Sequence, residues 1–361
     1  MRVIISGGGT GGHIYPAIAI AQKIEENISN TKVLYVGIKG GPEESIVEKY
    51  GYEFRPIDGM GMPRKINKKF FKSLSRNMKG FKAARKIVKD FKPDIAIGTG
   101  GYVCGPIIFQ AAKAGVPTLI HESNSYPGVT SKFLSNKVDA LCISYKEAKK
   151  YFKHKENIIV TGNPVRTNFS SYYTNEDLES LGIKKDIPVV FSFGGSNGSY
   201  AMNKAVKEMA NSLKGDFYLL HQTGKKNYDD FISNLDQNPY LKVFPYIDNI
   251  DLFYAVSDLV IASSGAMSLA EISSVKKPSI LIPKAYTTEN HQQHNAQTYV
   301  DNGAAMMILE KDLNGKILYD NIISVITNND KLTEMGEASS KLSNDGASDT
   351  IFELIVDLTA R

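Results

Sequence analysis

A chain of 361 residues is longer than one hydrophobic core usually grows, so two domains of ordinary size are expected. Hydrophobic residues at 42% and charged residues at 22%, with no Gly-, Ser- or Pro-biased tract, exclude a disordered or fibrous chain. The net charge is +5, and the two cysteines, Cys104 and Cys142, have neither zinc-site spacing nor a chain small enough to need a disulfide, which points to reduced thiols.

Only Val3, Ile4 and Ile5 precede the first glycine run, too short an apolar stretch for a secretory leader. Short β-branched runs at 3–6, 33–36, 95–98, 118–120 and 140–143 read as buried strands. Helical spacing lies between them, so the first half is predicted to be a βα repeat on a parallel sheet. The longest uncharged run, 95–112, is broken by Gly98, Gly100, Gly101, Gly105 and Pro106 and reads as strand, glycine loop and helix rather than a membrane span. Thr161-Gly162-Asn163-Pro164 and the polar, aperiodic stretch 168–177 mark a linker. The pattern restarts at 189–193 and continues with strands near 218–220, 243–244, 259–261, 279–282 and 305–309. The predicted organisation is one Rossmann-like domain over 1–163, a second over 164–340, and a C-terminal helix over 341–361 in position to return to the first.

Both halves open alike. An apolar strand runs into a glycine loop, Gly7-Gly8-Gly9-Thr10-Gly11-Gly12 in one and Gly194-Gly195-Ser196-Asn197-Gly198 in the other, and each loop enters a helix. Backbone N–H groups and a positive helix end are thus expected twice as anion sites. Gly7, Gly9 and Gly12 match GxGxxG, but a dinucleotide site places an acid at the end of the second strand, and Val33-Leu34-Tyr35-Val36-Gly37-Ile38-Lys39 has none. In the second half, Ser263-Ser264-Gly265-Ala266-Met267-Ser268-Leu269-Ala270-Glu271 follows a strand and predicts a helix starting at Ser264 or Gly265. Its first N–H groups and the Ser264 and Ser268 hydroxyls suit a diphosphate, and Glu271, about two turns in, suits two ribose hydroxyls. The alternative is an ordinary capped helix with a surface glutamate.

Several segments then carry a resemblance: Gly8-Gly9-Thr10-Gly11-Gly12-His13 with Pro16, Gly98-Thr99-Gly100-Gly101-Tyr102 with Gly105-Pro106, and His121-Glu122-Ser123-Asn124. Gly162-Asn163-Pro164-Val165-Arg166, Gly194-Gly195-Ser196, Ser264-Gly265-Ala266 with Glu271, and His291-Gln292-Gln293 with Asn295-Ala296 complete the set. In this order, over almost the whole chain, the pattern resembles the MurG family, the N-acetylglucosaminyltransferases that form lipid II for peptidoglycan. The resemblance implies an α/β protein of two Rossmann-like, doubly wound parallel-sheet domains facing a cleft, the fold called GT-B. It implies that Thr10, Gly11 and Gly12 approach the donor, with Asn124 near the transferred sugar and Arg166 and Ser196 at the diphosphate. Backbone groups of Ile247 would read the uracil. Ala266, Met267, Ser268, Leu269, Ala270 and Glu271 would hold phosphate and ribose, and Gln292 or Gln293 the sugar hydroxyls. Ser123 departs from the family's glutamine, and Asn197 and Ser199 depart from its Gln and Ala.

The reaction so implied moves N-acetylglucosamine from UDP-N-acetylglucosamine to the 4-hydroxyl of the muramyl sugar on undecaprenyl-linked lipid I, with inversion and without a cofactor. A single displacement needs one general base, and no Asp-x-Asp pair is present to bind a metal on the diphosphate. His13 is the first choice of base, directly after the glycine loop, because imidazole titrates near neutrality. Glu122 is the second, and helix capping or phosphate contact is the alternative role for His13. Rival functions are a diacylglycerol-type GT-B glycosyltransferase, a UDP-N-acetylglucosamine 2-epimerase and a non-catalytic nucleotide-binding module.

Residues 64–92 carry twelve Lys and Arg side chains against one acid, Asp90, a local balance of +11 in a chain of +5. Phe70, Phe71, Leu74, Met78 and Phe81 fall on one side of a helical wheel, an apolar stripe bordered by cations. Such a helix is expected to share its stripe between the sheet and an anionic membrane surface. No base-reading motif accompanies it, so nucleic acid is not an expected partner. The family resemblance likewise implies a peripheral protein of the cytoplasmic face of the membrane.

Overall fold

Strands buried on both faces of a parallel sheet must be apolar at every position, whereas helices need only one apolar stripe. That contrast organises the computed structural model, which describes residues 1–61, 68–165, 173–195, 197–233, 235–287 and 290–360, without the side chains of residues 68–72 and 74. The chain divides into two units, residues 1–165 with 344–361, and residues 166–343.

In the first unit, β1 (Arg2–Gly7), α1 (Gly11–Asn27), β2 (Lys32–Ile38), α2 (Pro42–Lys49), β3 (Glu53–Ile57) and α3 (Lys68–Phe91) come first. They are followed by β4 (Ile95–Gly100), α4 (Cys104–Lys113), β5 (Thr118–Glu122), α5 (Val129–Leu134), β6 (Ala140–Ile143) and β7 (Ile158–Val160). The sheet order is β3-β2-β1-β4-β5-β6-β7, parallel throughout. Alternate residues of each strand feed opposite faces. Ile4, Leu34 and Val36 pack with α3 and α4 on one side, while Val3, Ile5, Val33 and Tyr35 pack with α1 on the other.

The two edge strands, β3 and β7, escape the periodicity argument for physical reasons. β3 carries Pro56, which edges tolerate because one side of the strand needs no ladder donor. β7 is only three residues long.

The second unit contains α6 (Asn175–Ser180), β8 (Val189–Phe193), α7 (Tyr200–Met209), β9 (Tyr218–Gln222), α8 (Tyr228–Ile232), β10 (Leu241–Phe244) and α9 (Ile250–Val256). It continues with β11 (Leu259–Ala262), α10 (Ala266–Ser274), β12 (Ser279–Leu281), α11 (His291–Asp301), β13 (Ala305–Met307), α12 (Gly315–Ile326) and α13 (Asn329–Lys341). Its sheet is also parallel, in the order β10-β9-β8-β11-β12-β13. The last helix, α14 (Ala347–Thr359), belongs to the first unit: Ile351, Ile355 and Leu358 enter the core of Val3, Ile5, Ala17 and Ile20, and Lys23 pairs with Asp349 at 2.5 Å.

Among the described residues no helix is long and apolar enough to cross a membrane.

Candidate active site

Open α/β sheets bind ligands at the carboxyl ends of their strands, where the strand order reverses. That point lies between β1 and β4 in the first unit and between β8 and β11 in the second. The glycine loops leave β1 and β8 there.

In the first unit, a Cβ on Gly7 would stand 2.0 Å from Thr99 Oγ1 and 2.7 Å from the His13 carbonyl, so only glycine lets β4 and α1 approach. Thr99 Oγ1 donates to that carbonyl at 2.6 Å. His13, third in α1, is half-buried with its ring against Gly100, where φ is +110° and a Cβ would lie 2.6 Å from Cδ2. His13 Nδ1 is 2.9 Å from the Gly8 carbonyl. Thr10 Oγ1 stands farther from Nδ1, at 3.5 Å; the nearer partner is a carbonyl, which only accepts, so in the neutral ring Nδ1 carries the proton and Nε2 keeps its lone pair. Because Nδ1 faces a carbonyl rather than an N–H group, His13 does not cap the helix. Thr10, the N-cap residue, is exposed and makes no side-chain cap bond; Gly11 and Gly12 are half-buried.

Glu122 lies at the end of β5, buried and fully occupied. Its Oε1 accepts from the Asn124 N–H and Nδ2, both at 3.0 Å, and its Oε2 from the Gly128 N–H at 2.9 Å and Ser131 Oγ at 2.6 Å. These four bonds engage both carboxylate oxygens and tie the turn bearing Asn124 to the start of α5. In the first glycine loop two N–H groups are occupied: the Gly9 N–H donates to Glu43 Oε2 at 3.1 Å and the Gly8 N–H to the Gly100 carbonyl at 3.4 Å.

The second unit offers donors at the start of α10. Gly265, the N-cap of α10, has no side chain with which to cap, which leaves the N–H groups of Ala266, Met267 and Ser268 without intrahelical acceptors. Met267 turns its side chain inward, and Ser268 and Ala270 are half-buried. Ser264 has its one donor engaged, since its buried hydroxyl donates to the Gln292 carbonyl at 2.8 Å. Leu269 has its side chain in the core and its N–H on the Gly265 carbonyl at 3.0 Å. Glu271 is half-buried and accepts from the Tyr254 hydroxyl at 3.1 Å.

The adjacent glutamines differ. Gln292 Oε1 accepts from the Lys284 N–H at 2.9 Å, whereas Gln293 is exposed. Ile247 donates its N–H to Gln222 Oε1 at 2.8 Å, and Gln222 Nε2 donates to the Gly195 carbonyl at 3.2 Å, so Gln222 ties the glycine loop to Ile247. Lys284 Nζ donates to the Gly198 carbonyl at 2.8 Å, and burial lowers its pKa. Beneath the loop, His221 accepts from Ser192 Oγ at Nδ1 (2.6 Å) and donates from Nε2 to Asn203 Oδ1 (3.1 Å); burial pushes its pKa down to about 3. Arg166 and Ser196 lie outside the described residues.

Residues 3–143 match the glycosyltransferase family 28 N-terminal domain, and residues 189–351 match the family's C-terminal domain. The chain belongs to glycosyltransferase family 28. It is 48% identical over 348 residues, 95% of this chain and 94% of the relative, to the UDP-N-acetylglucosamine–N-acetylmuramyl-(pentapeptide) pyrophosphoryl-undecaprenol N-acetylglucosamine transferase of Finegoldia magna. It is 42% identical over 365 residues, the whole of both chains, to the protein of the same name from Alkaliphilus oremlandii. The crystal structure of Acinetobacter baumannii MurG matches with a TM-score of 0.78 over 99% of each chain at 25% identity. The fold of this glycosyltransferase is therefore GT-B.

Within that family framework, sequence reasoning passes over Gln222, Tyr254 and Glu43. For Gln222 a signal was present: a polar residue ending the buried strand Tyr218-Leu219-Leu220-His221-Gln222 stands at the carboxyl edge where ligands bind. Tyr254 and Glu43 carry no comparable local signal, because Glu271 and Gly9, which they meet, lie 17 and 34 positions away.

Proposed function

We propose that this family 28 glycosyltransferase moves N-acetylglucosamine from UDP-N-acetylglucosamine to the 4-hydroxyl of the muramyl sugar on undecaprenyl-diphospho-MurNAc-pentapeptide, forming lipid II. The observation that carries the reading is full-length likeness, 48% identity over 95% of the chain, to a transferase whose name states that donor and that acceptor. In this reading the second unit binds the donor and the first unit the lipid acceptor.

His13 Nε2 takes the proton of the 4-hydroxyl while that oxygen attacks C1 of the donor sugar from the face opposite the diphosphate. The bond from C1 to the diphosphate oxygen breaks, and UDP leaves with the electron pair. The open N–H groups of α10, together with Arg166 and Ser196, take up the charge of the departing diphosphate, so the step runs on protein donors without a metal. Glu271, backed by the Tyr254 hydroxyl, holds the ribose. The Ile247 carbonyl receives the uracil N3–H. Asn124, Gln292 and Gln293 bind sugar hydroxyls, and Thr10, Gly11 and Gly12 are proposed donor contacts.

The acceptor's polyprenyl chain keeps it in a bilayer, and the basic face of α3 is the surface proposed to meet anionic lipid. Support for that comes from Met78, 58% exposed, and from a ladder of rings in which Phe81 meets Phe109 at 5.8 Å and Phe109 meets the half-exposed Phe133 at 6.1 Å. The side chains of Phe70, Phe71 and Leu74 lie outside the described residues, as do Arg64 and Lys65.

The test is a transfer assay with labelled UDP-N-acetylglucosamine and lipid I. Labelled lipid II and an equal amount of UDP are expected. Transfer to diacylglycerol in place of lipid I, or 2-epimerisation of the donor with no acceptor present, would overturn the proposal in favour of a rival.

A further inference from the structure

A glutamate with no exposed surface, Glu43, stands outside the roles above. It is the second residue of α2, and its carboxylate turns back into the sheet. Oε1 accepts from the Ile38 N–H at 2.8 Å, and Oε2 accepts from the Gly9 N–H at 3.1 Å. Three glycines line the socket. A Cβ on Gly8 would stand 2.5 Å from Oε1, one on Gly41 2.7 Å from the same oxygen, and one on Gly37 2.6 Å from Cγ.

The Gly9 N–H and the Gly8 carbonyl are the two ends of one peptide unit. Its N–H points to Glu43, and its carbonyl points to His13 Nδ1 at 2.9 Å. A glycine pair is the sequence most free to rotate such a peptide, and Gly9 already sits at φ +84°. Rotated, the unit would turn its N–H toward the ring, and an N–H group favours an unprotonated Nδ1 and hence a proton on Nε2. A carboxylate on the far side holds the peptide in the observed sense, since only in that sense is the acceptor met by a donor. It also polarises the peptide along the chain carboxylate, N–H, carbonyl, imidazole.

We infer that Glu43 is a positioning residue for the transferase reaction: through the Gly8–Gly9 peptide it fixes the proton of His13 on Nδ1 and keeps Nε2 free to receive one. The inference rests on the reading of His13 as general base, and its first test does not depend on turnover. Long-range proton–nitrogen NMR of the full chain labelled at its six histidines, with His13 assigned by comparison with His13→Gln, reports which nitrogen is protonated in the neutral ring. The native chain is expected to show the Nδ1–H form, and Glu43→Gln, which keeps the shape but turns an amide donor toward the socket, a gain in the Nε2–H form. In the transfer assay Glu43→Gln is expected to lower kcat at least about tenfold, the direction seen when an imidazole is held in the wrong tautomer. KM for UDP-N-acetylglucosamine is expected to stay unchanged, a split that general loosening of the fold would not produce. An Nε2–H form in the native chain overturns the inference whether or not the variant folds, and so does full kcat in a folded Glu43→Gln. Normal turnover of His13→Ala would remove the base assignment alone, and the NMR result would still decide what Glu43 does to the ring.

Discussion

In the proposed function His13 serves the chemical step and Glu271 serves donor binding. In the neutral ring the proton sits on Nδ1, which faces the Gly8 carbonyl, and the Nε2 lone pair is left for the acceptor hydroxyl. His13→Ala is therefore expected to lower turnover by roughly 10²–10⁴, the usual worth of a general base, with little change in donor affinity. Steady-state rates beside a donor titration check this, and weak donor binding with normal turnover at saturation would speak for a phosphate contact instead. Glu271→Ala removes a charged acceptor and with it the hydrogen bond from the Tyr254 hydroxyl. A loss on the order of 1.5–3 kcal/mol, or about 10–100-fold in Kd, is expected for UDP-N-acetylglucosamine by calorimetry. Unchanged affinity would remove Glu271 from the ribose.

His221 makes a separate prediction about acid. Its pKa falls from 6.5 to about 3 on folding because the buried imidazolium loses its water. Between those values the unfolded chain holds a proton that the folded chain does not, so stability is full above about pH 6.5 and is lost as pH falls toward 3. Burial depresses His121 in the same direction. Each such group contributes a slope of up to about 1.4 kcal/mol per pH unit. Denaturant midpoints measured from pH 7 to pH 4 should fall, and fall less steeply in His221→Asn; identical slopes would contradict the buried neutral imidazole.

The elements with the largest reach are those that return from far along the chain. α14 arrives after the whole second unit and supplies Ile351, Ile355 and Leu358 to the face of the first sheet covered by α1. Ile355 is fully buried there, so Ile355→Ala leaves a cavity and is expected to cost about 2–5 kcal/mol. The loss should appear in the unfolding transition of the first unit, followed by hydrogen exchange of β1 and β2, because those strands share its core. Exchange in β1 and β2 equal to that of the unsubstituted chain would show that α14 adds little to that core. α10 acts in the opposite way: its uncapped first turn lowers its own stability and leaves donors for an anion. β5 and α5 meet through Glu122, whose four hydrogen bonds fix the turn bearing Asn124.

For the molecule as a whole, charge is distributed unevenly. A balance of +11 over residues 64–92 in a chain of +5 leaves the remainder net acidic. The described part of α3 puts Lys79, Lys82, Arg85 and Lys89 on the exposed side, next to Met78 and the Phe81, Phe109 and Phe133 rings. Binding to anionic vesicles at low salt, release at high salt and no binding to neutral vesicles are expected, because the Debye length shrinks from about 10 Å at 0.1 M to about 3 Å at 1 M. Sedimentation of the chain and of Lys79→Glu/Lys82→Glu tests this. Equal binding to both vesicle types, or an unchanged charge-reversal variant, would remove the electrostatic docking.

Much of this architecture is legible in one dimension because it follows from local repetition. Apolar runs such as Val3-Ile4-Ile5 mark strands buried on both faces, and a glycine loop at the end of such a strand marks a close approach of backbone, as Gly7 against Thr99 demonstrates. The seat of α10 was likewise readable to within a residue, with Gly265 as its N-cap. Hydrogen-bond assignments were not readable, since each depends on a partner brought in by the fold. Ser264 reads as a phosphate ligand until Gln292, 28 positions on, takes its hydroxyl. The bonds that close around Glu122 are equally invisible in the sequence, as is the contact that brings the first glycine loop, 34 positions earlier, to the Glu43 carboxylate. Periodicity is a property of neighbours along the chain and survives without tertiary structure. Whether a polar group is free for chemistry depends on which donors and acceptors the packed sheet brings within about 3 Å, and that is decided only when the chain has folded.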